Sequence, residues 1–273
     1  MSKNNLPTKA YRNIDFLTSK DARSIRILSE FLEPKSRFNK LNIVDTVVFF
    51  GSARLKSARE SKTLLRDFVK NTKKESKDYA KKLAKLENLV KMSKYYEDAV
   101  LLSEKLTKWS MGLTTNKKRF IICSGGGPGI MEAANKGAKI AGGESIGLNI
   151  SIPYEQFVNK YVKKELAFEF HYFFMRKFWF AYLAKALIVF PGGFGTVDEF
   201  MEILTLVQTG KIKKDMKVIV YDENYWKKMI NFEAFIEHGM IEEKDLKLFD
   251  FCNSVDEAFN KIVIYFEKYY LNK

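Results

Sequence analysis

A chain of 273 residues with 46% hydrophobic and 14% aromatic content can bury a sizeable core and lies far from the composition of disordered segments. Its 47 Lys and Arg against 33 Asp and Glu leave a net charge of +14, which favours phosphorylated or polyanionic partners through long-range steering. The lysines are scattered, however, and between Lys73 and Lys91 they mix with Glu75, Asp78, Glu87 and Asn88 as on a solvated helix, so a lysine-rich surface is expected and nucleic-acid binding is not. The two cysteines, Cys123 and Cys252, lie in apolar, strand-like runs without the makings of a disulfide framework, which fits a reducing cytosol. No apolar stretch approaches about 18 residues, and the start MSKNNLPTK lacks an apolar core, so neither a membrane span nor export is expected.

In chain order, Ile14, Leu17, Ala22, Ile25, Ile27, Leu28, Phe31 and Leu32 recur at helical spacing, which predicts a leading helix stopped by Pro34 and lying outside any sheet. Residues 1–42 are read as an N-terminal helical extension and 43–273 as the main domain. The first strong strand is Ile43–Phe50, followed at once by Gly51, Ser52, Ala53 and Arg54. From Lys56 to Met111 there is no Pro or Gly, and the composition predicts one or two helices broken near Asn71 and Thr72. Strand and helix patterns then alternate: Arg119–Cys123, Ile130–Ala141, Ser145–Ile150, Phe173–Lys185, Leu187–Phe190, Val197–Thr209 and Lys217–Tyr221. A helix over Tyr225–Glu237, a short strand over Leu248–Phe251 and a helix over Val255–Tyr270, with Ser254 as N-cap, close the chain. This alternation predicts an α/β fold: a Rossmann-like, doubly wound parallel sheet flanked by helices.

Two glycine-rich loops carry the chemistry. In the first, the run ending Cys123-Ser124 passes through Gly125, Gly126, Gly127, Pro128 and Gly129 into a helix, where backbone N–H groups and the helix N-terminus can receive a phosphate. The alternative is a tight strand-to-helix turn; neither the dinucleotide G-x-G-x-x-G spacing nor a P-loop GK[ST] is present. In the second, Leu187–Phe190 leads through Pro191, Gly192, Gly193, Phe194 and Gly195 to Thr196 and Glu199, and on neighbouring parallel strands the two loops would share one crevice. Thr196 and Glu199 also fit a T-x-x-E capping box. On the helical wheel Phe200, Ile203, Leu204 and Val207 form the core face, Asp198 and Glu202 point away, and Glu199 at the edge is the carboxylate best placed to line a cleft.

Between the loops, Arg176 and Lys177 sit in the aromatic run 170–180, where an unpaired charge is costly. Arg176 therefore calls for an anion, either a phosphate or Glu199, unless both cations snorkel to the surface. His171 reads as a packed aromatic. The Phe and Tyr excess around residues 168–182 points to a buried subunit contact as well as a core.

Taken together, GSAR at 51–54, SGGGPGIMEAANKGA at 124–138, SIGLNISIP at 145–153, MRK at 175–177 and PGGFGTVDE at 191–199 resemble the LOG (Lonely Guy) family from Ile43 onward. The resemblance implies a Rossmann-like fold, phosphoribohydrolase activity on nucleoside 5′-monophosphates and an assembly that is at least dimeric. It places the catalytic residues on Arg176 and Glu199. Substrate contacts fall on Gly193, Phe194, Gly195, Thr196 and Lys177, with Thr205 as a further contact and Glu155 as the nominee for an upstream acidic contact. Gly51, Ser52, Gly125, Gly126 and Gly127 join them as the other loop positions facing the crevice.

The expected reaction is hydrolysis of an AMP-like nucleotide to free base and ribose 5-phosphate, with no cofactor and no metal, in a cytoplasmic homo-oligomer. Relatives labelled lysine decarboxylases would need a pyridoxal phosphate lysine; Lys177 could be nominated, with nothing nearby to support it. The alternative from another class is a nucleotide-binding sensor or cofactor carrier that does not hydrolyse its ligand.

Overall fold

The computed structural model describes residues 7–152 and 157–271. Apolar runs form seven parallel strands, β1 (Thr46–Phe50), β2 (Ile121–Ser124), β3 (Ser145–Ile150), β4 (Ala167–Phe170), β5 (Ala184–Val189), β6 (Lys217–Tyr221) and β7 (Asp250–Cys252), in the order β4-β3-β2-β1-β5-β6-β7. The pleat of β1 sends Val47 and Phe49 into one core and Val48 and Phe50 into the other. Burial on both faces is why the central strands read as unbroken apolar runs.

The helices are α1 (Ile14–Thr18), α2 (Arg23–Lys40), α3 (Ala58–Asn71), α4 (Tyr79–Met111), α5 (Ile130–Ile140), α6 (Phe173–Leu183), α7 (Phe194–Gln208), α8 (Glu223–Met229), α9 (Phe232–Glu237) and α10 (Val255–Phe266). On the Val47 and Phe49 side, α4, α5 and α10 contribute Leu102, Ile130, Ile262 and Phe266 to the core. On the other side, α2, α6, α7, α8 and α9 contribute Phe38, Phe180, Phe200, Trp226 and Phe232. The sheet is thus doubly wound, as expected. Strand order reverses between β1 and β5, the switch point at which such sheets open a crevice at their carboxyl ends.

Pro34 does not stop the leading helix. Pro34 is buried inside α2, which runs on to Lys40. A proline leaves the carbonyl four residues earlier without its helical donor. That carbonyl, of Glu30, accepts instead from the indole Nε1 of Trp179 at 2.9 Å. The same Glu30 presents its carboxylate to the backbone N–H groups of His171 (2.8 Å) and Tyr172 (3.2 Å), just ahead of α6. Far from standing apart, α2 packs on α6 through Phe31 and Phe38 against Trp179, and Arg37 donates to Ala167 O on the edge strand at 2.8 Å.

Other departures are local. The strand expected from Ile43 begins at Thr46, with Ile43 held in a single bridge to Lys118. The edge strand β4 was not expected at all. The helix expected over Tyr225–Glu237 is two, broken at the extended Ile230, with Asn231 capping α9 through Ala234 N. No helix among the described residues is long and apolar enough to cross a membrane.

Candidate active site

The loops after β1, β2 and β5 meet at the carboxyl edge of the sheet. The two glycine-rich loops do not sit on neighbouring strands, because β1 lies between β2 and β5. Ser52 joins them: its N–H donates to Pro191 O at 3.0 Å, and its carbonyl accepts from Ile130 N at 3.1 Å. A side chain at Gly129, which has φ +68°, would bring its Cβ within 2.2 Å of Ser52 O. Gly51 makes room for Ile130 in the same way, 2.7 Å from an added Cβ.

The two loops have different surroundings. Gly125, Gly126 and Gly127 are buried. Asn159 donates from its backbone to Gly126 O at 2.7 Å and from Nδ2 to the same oxygen at 2.9 Å. Beneath them the Ser124 hydroxyl accepts from Gly126 N at 3.1 Å and lies 2.8 Å from Asn135 Oδ1, while Asn135 Nδ2 donates to Ser145 Oγ at 3.0 Å. Every member of this buried network is satisfied, so the loop is fixed in shape. By contrast Gly193, Phe194 and Gly195 are exposed, Phe194 at 96%, and nothing lies within 4 Å of a Cβ added at Gly193 or Gly195. Tyr225 steadies this second loop by donating from its hydroxyl to Gly192 O at 2.9 Å.

Helix α7 begins at Phe194 with Gly193 as N-cap and no side-chain cap. Thr196 is therefore its third residue and Glu199 its sixth, and the capping-box alternative does not hold. The first N–H groups of this helix have no side-chain cap, and the space beside Gly193 and Gly195 is open, the kind of helix start that can receive anions. Thr196 is buried, its hydroxyl occupying the space that a side chain at Gly192 would need.

Glu199 is 8% exposed, and burial pushes its carboxyl up to about 7, against the opposing pull of Arg176 and then Lys177. Arg176, in the first turn of α6, donates from Nε to Leu148 O in the carboxyl half of β3 at 2.7 Å and lies 5.0 Å over the Phe180 ring. Gly125 lets it in: a Cβ there would stand 2.5 Å from Arg176 Nη2. The second glycine loop is thus exposed at a helix start, and the first serves Arg176 and the packing beneath it.

Lys177 bonds Asp198 Oδ2 at 2.8 Å and Glu202 Oε2 at 2.9 Å, tying α6 to the outward face of α7. Burial opposes its charge, but the acidic neighbours outweigh it and hold its pKa above the ordinary value. A Schiff base needs a neutral amine, so Lys177 does not fit a pyridoxal phosphate lysine. Lys214 is pulled down to about 7 by burial and then by Lys185, but it donates to Ala181 O and Tyr182 O and precedes β6, at the opposite end of the sheet.

Thr205 does not join the group. Its hydroxyl returns to Met201 O at 2.8 Å, and it lines a cavity of about 120 Å³ with Phe232 and Phe249. Another cavity, of about 190 Å³, lies between α2 and β4, and neither of these cavities is lined by Glu199 or the glycine-rich loops. His171 is exposed, edge-on to Tyr172. Glu155 lies outside the described residues. Among the described residues, no group of three or more His, Cys, Asp or Glu is placed to hold a metal ion.

Sequence reasoning missed Asn135, Asn159 and Tyr225. Only Asn135 left a signal, as a polar residue on a helix face otherwise made of Ala133, Ala134, Gly137 and Ala138.

Fold and loops define an α/β protein with an uncapped, open helix start and a buried acid at the topological switch point. A family model described as "possible lysine decarboxylase" matches residues 131–262. The chain is 26% identical over 144 residues to a probable cytokinin riboside 5′-monophosphate phosphoribohydrolase LOG4 of Oryza sativa subsp. japonica, covering 52% of this chain and 61% of that protein. It is 37% identical over 67 residues to the cytokinin riboside 5′-monophosphate phosphoribohydrolase of Rhodococcoides fascians, covering 24% and 32%. The matches thus span less than two thirds of either relative. These matches and the loop motifs support a LOG-family protein.

Among solved structures it is similar to the molybdenum cofactor binding protein of Rippkaea orientalis, with TM-score 0.48 and 15% identity over 82% of this chain and 96% of that one. It is also similar to the Moco carrier protein of Chlamydomonas reinhardtii, with TM-score 0.46 and 16% identity over 82% and 99%.

Proposed function

We propose that the chain hydrolyses the N-glycosidic bond of AMP-like nucleoside 5′-monophosphates, giving free base and ribose 5-phosphate. The observation that carries this reading is Glu199, a buried acid with its pKa at about 7, one turn below the open N-terminus of α7 and within the field of Arg176. Both curated relatives are named for a cytokinin riboside 5′-monophosphate, which supports the riboside 5′-monophosphate part of this reading.

The 5′-phosphate sits on the N–H groups at Gly195 and Thr196, where helix polarity favours its charge. The C1′–N bond breaks with its electron pair leaving on the base, which takes up a proton, while the sugar becomes oxocarbenium-like. Ionised Glu199 stabilises that positive charge, orients the water whose oxygen bonds to C1′ and accepts the proton that water releases, which balances the proton taken up by the base. Arg176, held by Leu148 O and stacked on Phe180, anchors the substrate anion and lowers the energy of the Glu199 carboxylate.

The reaction is tested by incubating purified protein with AMP, GMP, CMP and UMP and separating free base by chromatography. Base release from at least one nucleotide is expected. Tight binding of a nucleotide with no base released would instead make the chain a carrier or sensor.

A homo-oligomer belongs to this reading. Phe173, Phe174, Phe178 and Tyr182 of α6 are between 36% and 52% exposed, an aromatic surface of the kind subunits bury.

A further inference from the structure

Much of the positive charge of the chain lies in one segment, which the fold turns into a pair of helices. Between Arg54 and Lys94, fourteen Lys and Arg stand against five Asp and Glu, so 41 residues hold nine of the fourteen net positive charges. These residues form the link from β1, then α3, then the first half of α4.

Three hydrogen bonds fix where that half of α4 lies. Tyr95 donates to Asp222, the residue after β6, at 2.7 Å; Tyr96 donates to Glu132 in the first turn of α5 at 2.8 Å; and Glu97 accepts from Ala58 N at the start of α3 at 2.8 Å. Residues 95–97 are therefore level with the carboxyl edge of the sheet. Toward its C-terminus α4 buries Ala99, Leu102 and Leu106 in the core. Toward its N-terminus, from Tyr79 to Met92, it buries none of its side chains. At about 1.5 Å per residue that portion projects about 20 Å beyond the sheet, beside the loops of the crevice.

Helix α3 accompanies it, with Phe68 stacked on Tyr79 at 5.2 Å. Of the fourteen cations, Lys56, Arg66 and Lys94 have a carboxylate within 4.0 Å; among the described residues the other eleven make no ion pair. A mononucleotide is far shorter than this arm, whereas a nucleic-acid strand places a phosphate every 3.4 Å or so along a duplex axis and presents several to it at once. A membrane surface fits less well. Of the bulky apolar side chains on the arm, only Leu64 and Val69 are exposed, too little for the face with which interfacial helices insert.

We propose that the α3–α4 arm binds the phosphodiester backbone of a nucleic acid and holds it beside the crevice. The intermixed Lys and Glu of the sequence argued for an ordinary solvated helix; the arm's projection and its excess of cations argue otherwise. The interaction is independent of nucleotide hydrolysis.

The test is fluorescence anisotropy of the full chain with labelled 20-nucleotide single-stranded DNA, single-stranded RNA and duplex DNA, between about 50 and 200 mM KCl. Binding is expected to fall linearly in log K against log salt. The variant Lys81→Gln, Lys82→Gln, Lys85→Gln is expected to lose about 2 units of that slope on a single strand, at about 0.7 per phosphate contact. A control of equal charge change off the arm, Lys211→Gln, Lys213→Gln, Lys228→Gln, is expected to keep the slope, with Tm measured for both as the folding check. The proposal is overturned by no binding at the lowest salt, by equal losses in both variants, or by binding to phosphatidylserine vesicles without binding to nucleic acid. Comparison of the DNA and RNA arms identifies the backbone preferred.

Discussion

Gly125 and Arg176 stand so close that a Cβ on the glycine would lie 2.5 Å from the guanidinium Nη2, and equally close to Met131 Sδ. Both obstructing atoms end flexible side chains, so Gly125→Ala is expected to fold, with a stability loss near 1 kcal/mol, while displacing the arginine. Its kcat/KM for base release should fall about tenfold or more, and Arg176→Ala should cost about 10²–10³-fold, as for loss of a preorganised charged donor. Steady-state kinetics on a nucleotide shown to be a substrate checks both; unchanged kinetics for Arg176→Ala would remove it from the mechanism.

The Glu199 carboxyl, raised from its ordinary 4.5 to about 7 chiefly by burial, makes two pH predictions. Ionisation is required for charge stabilisation, so kcat/KM should rise with pH through about 7 and then level. Removing the arginine, which favours the ionised form, should move that limb to higher pH. For stability, a raised carboxyl pKa means the folded state holds the proton more tightly. The associated stability is fully present below about 4.5 and is lost as pH rises through about 7. Glu199→Gln should therefore gain on wild type across that interval, by at most about 3 kcal/mol, measured by denaturant unfolding at pH 5 and pH 8.

Two glycines should separate folding from ligand binding. Gly129→Ala puts a Cβ against the Ser52 backbone at φ +68° and should cost several kcal/mol, seen as a large drop in Tm. Gly195→Ala meets nothing in the free protein and should leave Tm nearly unchanged or slightly raised. It should weaken nucleotide binding by crowding the phosphate seat, which calorimetry with AMP would register.

The indole of Trp179 serves a carbonyl orphaned by a proline, so Trp179→Phe should destabilise the chain by about 1–3 kcal/mol in urea unfolding, beyond what lost packing explains. The double variant with Pro34→Ala, which restores a helical donor to Glu30 O, should recover part of the loss.

How much of this was legible follows from the range of the interactions. Strands β3 and β6 fall where their apolar runs predict, because both faces of each are buried and no choice of register or period arises. The break between α3 and α4 is visible in the local chemistry of residues 71–78. Pro34 misled because its compensation comes from Trp179, 145 residues away. Strand β4 escaped because Ala167–Phe170 merges with the aromatic run of α6, and only pairing with β3 separates them. In the site, Arg176 and Glu199 were legible as ionisable groups among apolar neighbours. The brace of Ser124, Asn135, Ser145 and Asn159 was not, since each is an ordinary polar residue until the fold brings the four together.

The most direct test of the account is release of free base from AMP by wild-type protein and by Glu199→Gln, with Thr205→Val as a control whose hydroxyl bonds only within its own helix. The account predicts adenine and ribose 5-phosphate from the wild type and from Thr205→Val, and none from a folded Glu199→Gln. Near wild-type turnover in Glu199→Gln would contradict it.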